Sequence, residues 1–193
     1  MMGKTINKFS SPRIKKQQGM SFIEVLIALV ILVTGILGAV AMQITAKQGS
    51  FDAMQRSLAS SLVQDIIARM RANAPLINPN LTLNQYARND YGSAIGVAGN
   101  RCNLAPGCIT ADVISNDIYE WELALMGADV TSAGKNVGGL VGAAACISQN
   151  GNVYTVTVSW QAKSKTTDSA VINCGVSGAK RRQVVVQTFI YNI

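Results

Sequence analysis

Glu24 is the first residue of this chain whose type and position call for chemistry, because it stands at the edge of residues 25–42, a run that is apolar except for Thr34. An ionised carboxylate costs roughly 2.5–3.5 kcal/mol at the centre of a membrane helix and less near its end, so it needs a partner. A local one is available: Ser21-Phe22-Ile23-Glu24 fits the capping box S-x-x-E, in which the first and fourth residues satisfy two orphan amides at a helix start. Gly19, between a basic leader and the apolar run, is not explained by capping.

The second group with chemistry is the set of four cysteines, Cys102, Cys108, Cys146 and Cys174, all C-terminal to the apolar run. An even count suits disulfides in an oxidising compartment, and four cysteines allow three pairings. Closeness in sequence favours Cys102 with Cys108, around Pro106-Gly107, and Cys146 with Cys174. These separations are longer than zinc-ligand spacing, so no metal is expected. With no histidine in the chain, the commonest general base is missing. No motif brings nucleophile, base and oxyanion donor together, so neither an enzyme nor a cofactor is expected.

These groups are positioned by a small number of elements. From Met20 to Met42 a helix would extend about 34 Å, enough to cross a bilayer core. The 193-residue chain carries a formal charge of +7, but five of its 17 basic residues, Lys4, Lys8, Arg13, Lys15 and Lys16, precede the apolar run. Without residues 1–19, 12 basic face 10 acidic side chains, a net of +2. The excess charge is thus a topology signal that places the N-terminus in the cytoplasm and the rest in the periplasm. Thr45-Ala46-Lys47 fits the A-x-A cleavage pattern poorly, so the helix is expected to be retained.

Beyond Met42, Phe51, Met54, Leu58, Leu62, Ile66 and Met70 recur at helical spacing, and Asn73-Ala74-Pro75 should end one helix covering residues 20–73. Gly35 and Gly38 fit either close packing of small residues or a stretch that melts on assembly. Residues 74–101 read as a long loop. Asp117, with Glu120 three residues on, reads as the cap of a short helix over 117–126 ended by Gly127, its carboxylates forming a solvated face while Ile118, Trp121 and Leu125 face the core. Asn150-Gly151 between 145–148 and 153–161 signals a hairpin, and Tyr154, Val156, Val158 and Trp160 would fill one buried face. A last strand is expected over 182–191. The fold class is therefore α+β, a long N-terminal helix packed against a C-terminal antiparallel sheet.

Residues Lys15-Lys16-Gln17-Gln18-Gly19-Met20-Ser21-Phe22-Ile23-Glu24-Val25-Leu26-Ile27-Ala28-Leu29 resemble the class III signal of type IV pilins and type II secretion pseudopilins. The resemblance implies a pilin-like fold and a prepilin peptidase that cuts after Gly19 and methylates Met20. It also implies that Glu24 pairs with the N-terminal amine of a neighbouring subunit during assembly. The parts would be a cleaved leader (1–19), a transmembrane and assembly half-helix (20–42), an amphipathic half (43–73) and a periplasmic head (74–193). Within that superfamily, this signal, the helix end Asp65-Ile66-Ile67-Ala68-Arg69-Met70-Arg71-Ala72-Asn73 and the run from Tyr154 through Cys174 to Val185 resemble the PilV group of minor pilins. This implies a role in starting pilus assembly near the fibre tip, in adhesion and in twitching motility. The implied partners are the peptidase, major and minor pilins, a tip adhesin and the inner membrane before assembly. A minor pseudopilin of type II secretion is the alternative. DNA uptake, suggested by Lys163, Lys165 and Lys180-Arg181-Arg182, is the weaker one, since basic residues beside a terminal strand commonly protect its edge; nucleic acid is not an expected partner.

Overall fold

The computed structural model describes residues 19–74, 82–97, 107–167 and 172–191. The chain divides into two compact units, the first ending at Ile44 and the second covering Thr45–Ile193.

Helix α1 runs over Phe22–Ala72, 51 residues. In the first unit it is apolar all round and none of its described side chains is buried; one 18-residue window reaches a mean hydropathy of 2.8. It is long and apolar enough to cross a bilayer. In the second unit α1 has a face. Gln55, Ala59, Leu62, Val63, Ile66, Ile67 and Met70 are buried. This stripe is turned from the expected one: Met54 is exposed, and Gln55 is inside because its Oε1 accepts the Val141 N–H at 2.9 Å.

Residues 82–97 do not form a surface loop. They include a 3-10 turn over Asn84–Tyr86, and Leu83, Tyr86 and Tyr91 are buried in the core. Helix α2 then spans Thr110–Met126, beginning seven residues before the expected start. Asp117 is therefore not a cap. Nothing in residues 110–116 opposes a helix, and Ile109 O accepts the first amides, from Asp112 and Val113. Gly127 does end α2, in the left-handed region at φ 67°, where a Cβ would run into the Gly139 backbone. Trp121 and Leu125 are buried, and the Trp121 indole donates to Leu62 O of α1 at 2.9 Å.

Two short strands, β1 (Thr131–Ser132) and β2 (Lys135–Asn136), pair with each other. The main sheet is antiparallel in the order β3 (Ala144–Asn150), β4 (Val153–Gln161), β5 (Arg181–Phe189). Asn150 pairs with Val153, so the hairpin loop is Gly151-Asn152, one residue later than the Asn-Gly reading. Ala145, Ile147, Tyr154, Val156 and Val158 point to one face, where they join the α1 stripe, Trp121 and Leu125 in a single core. Thr157 and Ser159, on the other face of β4, are buried too. Residues around Cys174 lie over them: Cys174 Sγ is 3.9 Å from Thr157 O, and a Cβ on Gly175 would meet the Ser159 hydroxyl. A long N-terminal apolar helix followed by an antiparallel sheet is the α+β, pilin-like arrangement that the resemblance implies.

Candidate functional site

At the start of α1 the Ser21 N–H donates to Glu24 Oε2 at 2.9 Å, which is the carboxylate half of a capping box. The other half runs through the backbone, since Glu24 N–H donates to Ser21 O at 3.0 Å. The motif thus satisfies helix-end donors within one chain. Around it the apolar side chains are exposed: Met20 and Phe22 by nearly four-fifths, and Ile23, Val25, Leu26 and Ile27 as well. A continuous apolar surface of this kind marks contact with lipid or with other protein. Thr34 is the polar interruption, and its hydroxyl bonds back to Val30 O and Ile31 O at 3.0 Å each. A Cβ added at Gly35 or Gly38 would meet nothing within 4 Å. Among the described residues, no contact requires glycine there.

Residues 14–40 match the family model for the prokaryotic N-terminal methylation motif. The motif ends inside the apolar half of α1 and includes Gly19, Met20 and Glu24, so the sequence signal and the exposed apolar helix surface coincide. It supports a type IV pilin-like chain. Beyond the motif, no curated protein and no solved structure matches the chain.

In the second unit, the carboxylates expected to form a solvated face divide: Glu120 is exposed, whereas Asp117 and Glu122 are buried and hydrogen-bonded. The Arg69 guanidinium donates to Asp65 at 3.1 Å, to Asp117 at 2.8 Å and to Glu120 at 3.0 Å. Asp117 Oδ2 also accepts from Asn73 Nδ2 and from the Tyr86 hydroxyl, the latter at 2.9 Å. Burial opposes the charge on Arg69, but Glu120, Asp117 and Asp65 outweigh it and raise the guanidinium pKa further. Burial raises the Tyr86 phenol above its ordinary range, assisted by the Asp117 charge. Glu122 is fully buried, with Oε2 accepting the Gly96 N–H at 3.0 Å. These groups tie α2 to α1, to Tyr86 and to Gly96. No group of three or more metal-ligating side chains occurs among the described residues. The signal for this network lay in the spacing of Ile114, Asp117, Trp121 and Leu125, which puts Asp117 on the core-facing side of α2.

Cys146 and Cys174 form a disulfide closing a separation of 28 residues. Cys108 is disulfide-bonded as well; Cys102, its expected partner, lies outside the described residues.

Proposed function

We propose that the chain is made as a precursor, cut after Gly19 and N-methylated at Met20, and that it works as a minor type IV pilin helping to start pilus assembly in or near the fibre tip. The methylation motif over residues 14–40, running into a helix whose apolar surface is exposed all round, is the observation that carries this reading. Before assembly the helix would sit in the inner membrane, with the leader cytoplasmic and the head periplasmic. Within the fibre, neighbouring pilins would replace lipid around it. Glu24 would then exchange its local Ser21 amide for the N-terminal amine of a neighbouring subunit, since a buried charge is tolerated when paired. The sequence likeness to PilV-type minor pilins supports adhesion and twitching as the processes served, with a tip adhesin among the partners.

The deciding experiment is the N-terminus and intact mass of the protein from membranes of cells with and without prepilin peptidase. We expect a chain beginning at N-methylated Met20 only when the peptidase is present. An unprocessed chain in both strains would reject the reading and leave Glu24 as a capping residue. Deleting the gene separates pilus from secretion system: loss of surface pili and twitching fits a minor pilin, whereas intact pili with blocked exoprotein release identifies a pseudopilin.

A further inference from the structure

The two edges of the main sheet differ. Along β3, Ala145 N–H donates to Tyr91 O at 3.0 Å and Ile147 N–H to Arg88 O at 2.7 Å, so residues 88–91 cover that edge. On the opposite side, Ile190 N–H donates to Asn152 O and Ala162 N–H to Lys180 O. These two bonds set the phase of the β4–β5 ladder. Even-numbered residues of β5 direct their backbone groups to β4, while Val185, Gln187 and Phe189 direct theirs away from it. Among the described residues, no backbone partner meets those three.

Open edges are commonly blocked by lysine, proline, a bulge or a covering segment. From Gln183 to Tyr191 this strand carries no charge and no proline, and its register with β4 is unbroken from Arg181 to Phe189. Beside it Phe189 and Tyr191 are exposed and stack at 5.8 Å. The charge is gathered at the other end of the strand, where Lys180, Arg181 and Arg182 adjoin Lys163 and Lys165. Asp52 is the carboxylate hydrogen-bonded there, taken up by the Lys163 and Ser164 amides.

We propose that the outer edge of β5 is a docking site for one extended strand of another protein, added antiparallel to β5. Main-chain bonds to Val185, Gln187 and Phe189 supply the pairing, and carboxylates at the partner strand's C-terminal end lie beside Lys180 and Arg181. The partner is acidic at that end because the five cations leave an uncharged or basic strand with no gain there. A second copy of this chain would instead set Arg181 near the uncharged Phe189 end of its twin. The inference stands on the sheet alone and is unaffected by whether the N-terminus is processed.

The test uses the full-length protein in detergent micelles and a synthetic decapeptide of alternating threonine and valine ending in two glutamates. Hydrogen exchange is read at the amides of Val185, Gln187 and Phe189. We expect these amides to exchange rapidly in the free protein and at least tenfold more slowly with saturating peptide. Lys180→Glu with Arg181→Glu should weaken binding about tenfold. Val185→Pro removes an outward N–H at an edge position and should abolish protection while circular dichroism stays unchanged. If that variant unfolds, Gln187→Pro replaces it. Slow exchange in the free protein, absence of peptide protection, or protection insensitive to the proline would overturn the proposal. Protection that grows with protein concentration and needs no peptide would assign the edge to a second copy. Retention of duplex DNA, lost in the charge-reversed protein but not with Val185→Pro, together with no peptide protection, would assign the cations to nucleic acid.

Discussion

Glu24 and Asp117 are both carboxylates that sequence alone leaves without an evident ionic partner, yet they differ in where their partners come from. Glu24 has the Ser21 amide at its own helix start as partner, and the proposed assembly would offer it a charged one. Glu24→Gln should leave cleavage intact, because the proposed cut lies at Gly19, and should lower the assembled fraction about tenfold or more. Comparing sheared-fibre and membrane fractions tests this, and wild-type assembly would reduce Glu24 to a cap. Asp117 has its partners within the fold. Asp117→Ala should destabilise the second unit by about 2–4 kcal/mol, leaving Arg69, Asn73 and Tyr86 short of an acceptor. Asp117→Asn should cost less, since one oxygen still faces Arg69. Denaturant unfolding measures both. Tyr86, Tyr91 and Tyr154 are each raised above the ordinary value of 10.0, chiefly by burial. Because the folded state holds their protons more tightly, this stability is present below pH ~10 and is lost as pH rises through the folded values. Their tyrosinate absorbance should therefore appear together with loss of the near-ultraviolet circular dichroism.

At the scale of elements, the Cys146–Cys174 disulfide fastens a segment across the outward face of β4, opposite the core. Its loop of 28 residues gives an entropic stabilisation of about 3–4 kcal/mol. Cys146→Ser with Cys174→Ser should lower the unfolding midpoint accordingly and expose Thr157 and Ser159 to solvent, readable as faster amide exchange along β4. A second fastening joins α1 to the β4–β5 connection, where Asp52 accepts hydrogen bonds from the Lys163 and Ser164 amides and the Ser164 hydroxyl. Slight burial would raise the Asp52 pKa, but Ser164 and Lys163, with the Arg182 charge, bring it below the usual 3.8. Its contribution is thus complete above pH ~4 and fades as pH falls through the lowered value. Asp52→Asn should remove that part of the acid sensitivity, as followed by thermal unfolding at a series of pH values.

For the whole molecule, the division at Ile44 and Thr45 separates an apolar helical unit without a core from a unit that holds every buried residue among those described. Transfer of the full chain to liposomes should protect residues 22–42 from proteolysis while leaving the second unit accessible. Protection of the entire chain, or of none of it, would contradict a single span. The sequence by itself determined the apolar helix, the N-terminal methylation motif, the α+β order and the β3–β4 hairpin to within one residue. Each is carried by contiguous residues or by a short period. Tertiary structure alone decided that α2 starts at Thr110, that Asp117 is a buried hub rather than a cap, and that residues 82–97 enter the core. It also decided that Thr157 and Ser159 are covered and that, among the described residues, one sheet edge is occupied and the other meets no backbone partner. Those outcomes depend on groups far apart in the chain, such as Arg69 and Asp117, 48 residues apart. Local pattern says which residues prefer burial, but which partner arrives to satisfy a buried polar group is fixed only when distant segments pack together.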